Sequence, residues 1–353
     1  MIRSFATLAV VSVLSGACGE GAPSPSRAPR QGPAVIARHR VSVKDWFATR
    51  GMDYQPVTVP IAWTATGLLV AHQETYSYAD VFTSTCGGSG FYLIRPAAPP
   101  QTISQGEPAC GALRHDGNVA VDPTARSVVY SVWMEPNNSG LVRLDVQTGR
   151  ADTLNTGCAV YLEHPSVSPD GASIAAVGLC EGRDQESYSL YVMRADGSGL
   201  REVAKEVAED PAAWSADGRW LAFVDNSREP EIRLSITPSA GGTPRAITSG
   251  GNPAWSPDGR WIAFVDMGSS ADEQSLFLVR ADGSGRRVLY RNDARGTFSK
   301  GWGPMREGVP SGPLVWSADS RSIAFPRRFR RGTSVWTVDF ESGRVHQLTQ
   351  PDR

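Results

Sequence analysis

The chain has 353 residues, 41% hydrophobic and 20% charged, a globular balance in a length that a single repeat-built domain can occupy. A formal net charge of -1 excludes a bulk electrostatic footprint for nucleic acid. Gly 36, Pro 25 and Trp 10, without a collagen-like period, point to an all-β protein with many turns.

At the N-terminus, Arg3 precedes an apolar run from Phe5 to Leu14, too short to span a bilayer as a helix, followed by Ser15, Gly16, Ala17 and Cys18. This is the layout of a secretory signal, set apart from the fold. One reading is a signal peptide cut near Ala17. The other is lipidation at Cys18, because Leu14-Ser15-Gly16-Ala17-Cys18 resembles the bacterial lipoprotein cleavage motif, with Ser15 standing where a large aliphatic residue is usual. The next segment favours lipidation. Residues 18–35 are Gly, Ala, Pro, Ser and Arg with almost no apolar content, a tether that cannot bury a core. A flexible tether of this length averages roughly 25 Å end to end. Gly19, where inner-membrane lipoproteins often carry Asp, favours the outer membrane by the same resemblance.

Residues 36–353 are expected to form one domain of repeats. The clearest copy runs Asn252-Pro253-Ala254-Trp255-Ser256-Pro257-Asp258-Gly259-Arg260-Trp261-Ile262-Ala263-Phe264. It recurs around Trp214-Ser215-Ala216-Asp217-Gly218, Trp316-Ser317-Ala318-Asp319-Ser320 and Val167-Ser168-Pro169-Asp170-Gly171. Weaker copies lie at Val121-Asp122-Pro123-Thr124-Ala125 and Trp63-Thr64-Ala65-Thr66-Gly67. In each, a strand ends in a tight turn: Pro presets φ, Asp bonds the backbone ahead of it and Gly accepts a positive φ. The apolar run that follows does not alternate, so that strand is buried on both faces. A second half also repeats: Leu190-Tyr191-Val192-Met193-Arg194-Ala195-Asp196-Gly197-Ser198 matches Leu276-Phe277-Leu278-Val279-Arg280-Ala281-Asp282-Gly283-Ser284. Each is a strand and hairpin turn leading to a short outer strand. Six units of four strands, a, b, c and d, predict a six-bladed β-propeller of four-stranded antiparallel blades.

The Trp-Ser-Pro-Asp-Gly, Ile-Ala-Phe and Leu-Tyr-Val-x-x-Ala-Asp-Gly-Ser pattern resembles the WD-like repeat of the TolB family over roughly residues 57–353. The same repeats occur in the propellers of prolyl-oligopeptidase-type enzymes and oligogalacturonate lyases, so the resemblance implies a fold and not a task. TolB carries an additional N-terminal domain for which this sequence offers no counterpart between Cys18 and the first repeat. Residues 35–46 are a candidate closing strand.

In such blades the a–b and c–d turns share one face, and the b–c loops and d–a connections share the other. The first set is short and uniform. The second is irregular, with b–c excursions at residues 72–90, 180–188, 267–275 and 326–333 and the largest d–a excursion at about 291–312. Function concentrates on variable loops held by a rigid scaffold, so this is the expected working face. With Cys18 set aside, the other four of the five cysteines, Cys86, Cys110, Cys158 and Cys180, map to the same face. In an oxidising compartment they form two disulfides, with Cys86–Cys110 and Cys158–Cys180 preferred; buried free thiols are the alternative.

Candidate binding residues on that face are His164, Asp210 and Asn252, at the start of inner strands on the channel rim. Their functional reading is a polar ring for a peptide, glycan or metal; satisfying backbone groups and channel water is the simpler one. Arg328 and Arg330, in Arg327-Arg328-Phe329-Arg330-Arg331, offer a basic patch to an anionic partner, although a solvated loop explains them as well. Phe298, Trp302 and Met305 form a hydrophobic contact patch or a small cluster packed on the propeller, and Tyr76, Tyr78 and Phe82 read the same way.

Catalytic signatures are missing from the sequence. Gly87-Gly88-Ser89-Gly90-Phe91 lacks the last glycine of a serine-hydrolase elbow. His39, His72, His115, His164 and His346 are scattered, and only His164 and His115 are placed to reach a channel. The Asp-Gly-Ser-Gly stretches are hairpin turns, not phosphate loops. The expectation is therefore a monomeric, cofactor-free, metal-free binding propeller of the cell envelope. It would be held by its N-terminal lipid on the periplasmic face of the outer membrane, with an envelope protein or peptidoglycan-associated partner and no nucleic acid. The alternative is a lyase-like carbohydrate-active enzyme with a channel metal bound by His164.

Overall fold

A computed structural model describes the chain from Asp53 to Thr349, apart from residues 65–66, 79–80, 84–89, 95–100, 106–118, 135–137, 146–147, 149, 158–160, 181–186, 228–231, 267–274, 292–296, 300–303, 307–312 and 330–331. Within it every regular element is a strand. The first sheet holds β1 (Asp53–Thr64), β2 (Gly67–Tyr78), β3 (Val81–Thr83), β4 (Gly90–Ile94) and β5 (Gln101–Gln105). Its order is β1-β2-β4-β5, with β3 folded back on the end of β2. Five four-stranded antiparallel blades follow, each built from consecutive strands. Blade I is β6 (Val119–Val121), β7 (Ser127–Met134), β8 (Asn138–Asp145) and β9 (Ala151–Thr153). Blade II is β10 (Tyr161–Val167), β11 (Ser173–Leu179), β12 (Ser189–Arg194) and β13 (Arg201–Lys205). Blade III is β14 (Ala213–Trp214), β15 (Trp220–Asp225), β16 (Arg233–Pro238) and β17 (Arg245–Ser249). Blade IV is β18 (Gly251–Trp255), β19 (Ile262–Asp266), β20 (Ser275–Val279) and β21 (Arg287–Tyr290). Then comes a separate hairpin of β22 (Thr297–Ser299) and β23 (Pro304–Arg306). Blade V is β24 (Val315–Trp316), β25 (Ser322–Phe329), β26 (Gly332–Asp339) and β27 (Val345–Gln347). The chain is an all-β propeller of four-stranded blades. The departure from a uniform four-strand count is the first sheet, where β2 outruns its blade and pairs with β3 through Tyr76–Thr83 and Tyr78–Val81.

The turns work as their residues predict. In blade II the Ser168 hydroxyl donates to Asp170 at 2.6 Å and accepts from the Ser173 amide at 2.9 Å, while Asp170 accepts from the Ala172 amide at 3.0 Å. Ser215 with Asp217, Ser256 with Asp258 and Ser317 with Asp319 repeat this at 2.6 Å each. These bonds hold the Asp170, Asp217 and Asp319 carboxyls below the usual range. The weak blade I copy exchanges the roles. Asp122 stands at the serine position and accepts from Thr124 and Ser127, so the turn survives with other side chains. At the glycine position the backbone is left-handed, with φ 72° at Gly171 and 70° at Gly218, but also 55° at Ala125 and 59° at Ser320. The last two carry a Cβ in a region that disfavours one.

The core lies between sheets. Ile174, Ala176, Tyr191 and Met193 of blade II pack on Val129 and Leu141 of blade I. Leu221 and Phe223 of blade III pack on Ala175, Val177, Leu190 and Val192 of blade II. Ile262 and Phe264 meet Leu234 and Ile236, and Ile323 and Phe325 meet Leu276 and Leu278. At the seam, Leu68, Val70 and Tyr92 of the first sheet pack on Ala324 and Val335, and β1 contacts β24, β25 and β26. Among the described residues no strand is exchanged between first sheet and last blade, so side-chain packing joins them; the expected closing strand at 35–46 lies outside the described residues.

Polar ties reinforce the later blades. Arg201, Arg245 and Arg287, each the first residue of an outer strand, donate from Nη2 to the Ser239, Ala281 and Phe340 carbonyls in the next blade's c–d turn, at 2.5, 2.5 and 3.2 Å. Near the axis, Trp214 and Trp316 donate from Nε1 to the Ser166 and Ala254 carbonyls of the preceding blade, at 3.1 and 3.0 Å. In blades III and V the repeat tryptophan is thus an inter-blade donor as well as an apolar strand end, whereas Trp255 of blade IV donates within its own turn to the Gly259 carbonyl.

Candidate binding face

The inner strands start on the b–c/d–a face, and their first turns are bent. His164 and Asn252 occupy equivalent places, with φ of 50° and 55°, each followed by a proline. Pairing slips there, between Glu163 and Ser166 in blade II and between Gly251 and Ala254 in blade IV. A left-handed residue before proline turns the chain into the inner strand, which explains the spacing of both motifs from their turns. In blade III the equivalent residue is Pro211, so Asp210 matches Glu163 and Gly251, one place earlier than His164. His164 is buried at 7% exposure and Asn252 is half-buried.

Asp210 faces the next inner strand. A Cβ added to Gly251 would lie 3.7 Å from its Oδ2. Burial, then the charge of Glu209, holds the Asp210 carboxyl above the usual range. Among the described residues no basic group pairs with it. Beside it, burial first, then hydrogen bonding to Glu209 and the charges of Glu209 and Glu163, pushes the Tyr188 phenol well above its ordinary value. Tyr188 sits at the start of β12, Glu163 in β10 and Glu209 in the connection before β14. Blades II and III therefore share an acidic, hydroxyl-bearing mouth that the sequence indicated only through Asp210.

The irregular loops are more ordered than the sequence suggested. Of the b–c excursions, 72–90 and 326–333 are largely continued strands: β2 runs to Tyr78, and β25 and β26 pair out to Phe329 and Gly332. β7 and β8 likewise pair out to Met134 and Asn138. The 291–312 connection carries the β22–β23 hairpin, in which Phe298 stands opposite Met305. Trp302 lies outside the described residues. Arg328 stands opposite Thr333 in the β25–β26 ladder, while Arg330 lies outside the described residues. Arg327 is not a freely solvated start to the basic run: its guanidinium lies 4.4 Å from the Trp336 ring centroid and 5.4 Å from that of Tyr290. Cys180 is buried at the end of β11, at 4% exposure, whereas Cys18, Cys86, Cys110 and Cys158 lie outside the described residues. Among the described residues no three His, Cys, Asp or Glu side chains gather as a metal site.

Two solved structures share this arrangement of blades. TolB from Acinetobacter baumannii superposes with a TM-score of 0.54 at 14% identity, over 93% of this chain and 86% of that one. A putative TolB from Agrobacterium tumefaciens gives 0.53 at 18% identity, over 71% and 84%. The fold is that of a TolB-like β-propeller. No protein-family model matches the chain. By sequence, the propeller is 32% identical over 93 residues to the uncharacterized peptidase YuxL of Bacillus subtilis, which is 25% of this chain and only 14% of that protein.

Proposed function

We propose that this chain is an exported, lipid-anchored envelope protein. In this reading the first sheet serves as the sixth blade of the propeller, and the b–c/d–a face binds an envelope protein or a peptidoglycan-linked partner without catalysis. The observation that carries the reading is the contrast between the two faces. One is locked by repeated Ser/Asp turns and Arg ties. The other carries the β2–β3, β7–β8, β22–β23 and β25–β26 hairpins and the Tyr188–Glu209–Asp210 cluster. A rigid ring with irregular projections on one side suits recognition. The likeness to TolB structures supports the propeller, and the Leu14–Cys18 motif with its tether supports export and lipidation at Cys18. Cys180, buried beside β11, is proposed to pair with Cys158.

The test is a cross-linking pull-down from envelopes with the tagged full-length protein beside a variant whose residues 291–312 are replaced by a short Gly-Ser linker. One envelope protein captured by the parent and lost by the variant supports the reading. Identical captures from both remove the β22–β23 hairpin from the binding face. A second reading, peptide hydrolysis, draws on the YuxL likeness. Turnover of peptide substrates by the purified protein, undiminished by chelator, would favour it over binding alone.

A further inference from the structure

Blade III breaks the packing rule that every other sheet keeps. On the face each sheet turns toward the preceding one, strand c carries a small residue and then two bulky apolar ones. Their register against strand b is set by pairs such as Ala176–Tyr191 and Ile174–Met193. The bulky pairs are Tyr92 and Ile94, Val142 and Leu144, Tyr191 and Met193, Phe277 and Val279, and Trp336 and Val338. In blade III these two places, opposite Phe223 and Leu221, hold Ser235 and Thr237, each 0% exposed. The small residue, Gly90, Gly140, Ser189, Ser275 or Ser334 elsewhere, is Arg233 here. Small and large have exchanged places, and large apolar has become small polar.

Open space lies beside the exchange, bordered by Phe223, which stands opposite Ser235, and by Arg233, while Ser235 and Thr237 are themselves covered. A cavity of about 580 Å³ lies between β13 of blade II and the outer half of blade III, within the range of small-molecule sites. Its apolar wall includes Val203, Pro244 and Ala246, and its polar end is built from Asp225, Ser227 and Arg233. Asp225, 8% exposed, accepts from the Ser227 amide at 2.9 Å, from Arg233 Nη2 at 3.0 Å and from the Ser235 hydroxyl at 3.0 Å. Burial alone would raise its carboxyl. The Ser227 and Ser235 bonds and the Arg233 charge outweigh it, leaving the group below the usual range and ionised. The Nε of Arg233 is buried with no hydrogen-bond acceptor. A buried donor left in this way costs free energy.

Charge decides the class of ligand. The walls carry two opposed pairs, Asp225 with Arg233 at 3.0 Å and Glu202 with Lys205 at 3.8 Å. A carboxylate entering would meet Asp225 and Glu202; an ammonium group would meet Arg233 and Lys205. A neutral group with closely spaced hydroxyls meets donors and acceptors alike, and its C–H faces suit the apolar wall. We propose that the cavity between blades II and III is a binding site for a neutral sugar residue. The polar end of the site reaches the b–c side of blade III through Ser227, in the β15–β16 connection, but the site does not depend on the partner proposed for that face.

The repeat supplies its own control. Ser235→Phe restores the residue type that Phe277 provides in blade IV and crowds the cavity wall between Phe223 and Ala246, both paired with Ser235, and Arg233→Ser restores that of Ser275. The probes are the methyl glycosides of glucose, galactose, mannose and N-acetylglucosamine, with galacturonate and glucosamine as charged comparisons, read by saturation-transfer NMR and calorimetry on the full chain. At least one neutral glycoside is expected to bind saturably and more tightly than either charged sugar. Ser235→Phe should abolish binding while keeping a cooperative melt, and Arg233→Ser should weaken it about tenfold or more. Either variant suffices if the other fails to fold. Absence of binding by all four glycosides, preference for a charged sugar, or unchanged binding by a folded variant overturns the proposal. Envelope capture by Ser235→Phe should match the parent, which separates failure here from failure of the binding-face reading.

Discussion

Blades II to V and the region before them, the first sheet with blade I, reach one architecture by different means. In the later blades, serine–aspartate turns are joined by arginine and tryptophan bonds from blade to blade. In the earlier region the arginine position is Gln101 or Asp152, and the blade I turn is rebuilt around Asp122. Apolar packing between sheets is common to both. Packing therefore specifies the blade, whereas the polar signature reinforces it.

The comparison can be broken most forcefully through the shared element. Phe264→Ala, at 0% exposure between blades III and IV, should cost about 3–5 kcal/mol, and Val70→Ala at the seam roughly 2 kcal/mol, measured by urea unfolding. Equal costs would show that the two regions are not distinguished by how much apolar surface each interface holds. Trp316→Phe keeps most of the apolar contact but leaves the Ala254 carbonyl without its donor, and should cost about 1–2 kcal/mol. Extending the later blades' device backwards is a subtler test. Asp152→Arg, at the residue that pairs with Arg143 as Arg201 pairs with Val192, places a guanidinium on the side of the Ala195 turn, and Ala125→Gly relieves a left-handed alanine. Each should raise stability by about 0.5 kcal/mol, and no change from either would show that the ties are ornaments of the repeat.

The smallest effect is expected from pH. The folded carboxyl of Asp210 is raised, so the native state binds more protons than the unfolded one above the ordinary aspartate pKa. Stability should fall as pH rises through that window, toward the raised folded value. Asp210→Asn should remove the slope and raise the melting temperature at pH 7. Asp225 has the opposite sign. Its folded carboxyl is lowered, so its contribution is present above the unfolded pKa and is lost as pH falls through the folded one. Asp225→Asn should flatten the acid limb; an unchanged acid limb would mean that its hydrogen bonds persist when it is protonated.

The blades were legible because their turn chemistry and doubly buried strands are local properties of ten or so residues. What escaped was relational. The extensions at 72–78 and 326–333 mix charged, aromatic and polar residues, which give no alternating pattern although they pair as strands. Asp210 and His164 both precede prolines, yet only the inner-strand register shows that they occupy different places. Ser235 and Thr237 are ordinary strand residues taken alone. They signal a cavity only when laid against Phe277 and Val279 in the same register.

The side-chain seam between β1 and blade V carries a mechanical consequence. The other junctions join sheets that follow one another along the chain, whereas the seam unites the first described strand with the last blade, and among the described residues no hydrogen-bonded ladder crosses it. A pull on the chain ahead of Asp53 loads β1, which is held by its ladder to β2 and by contacts with β24–β26. Tension from an anchor would therefore open the ring at one place and leave blades II to V standing, each tied to the next by its own arginine bond.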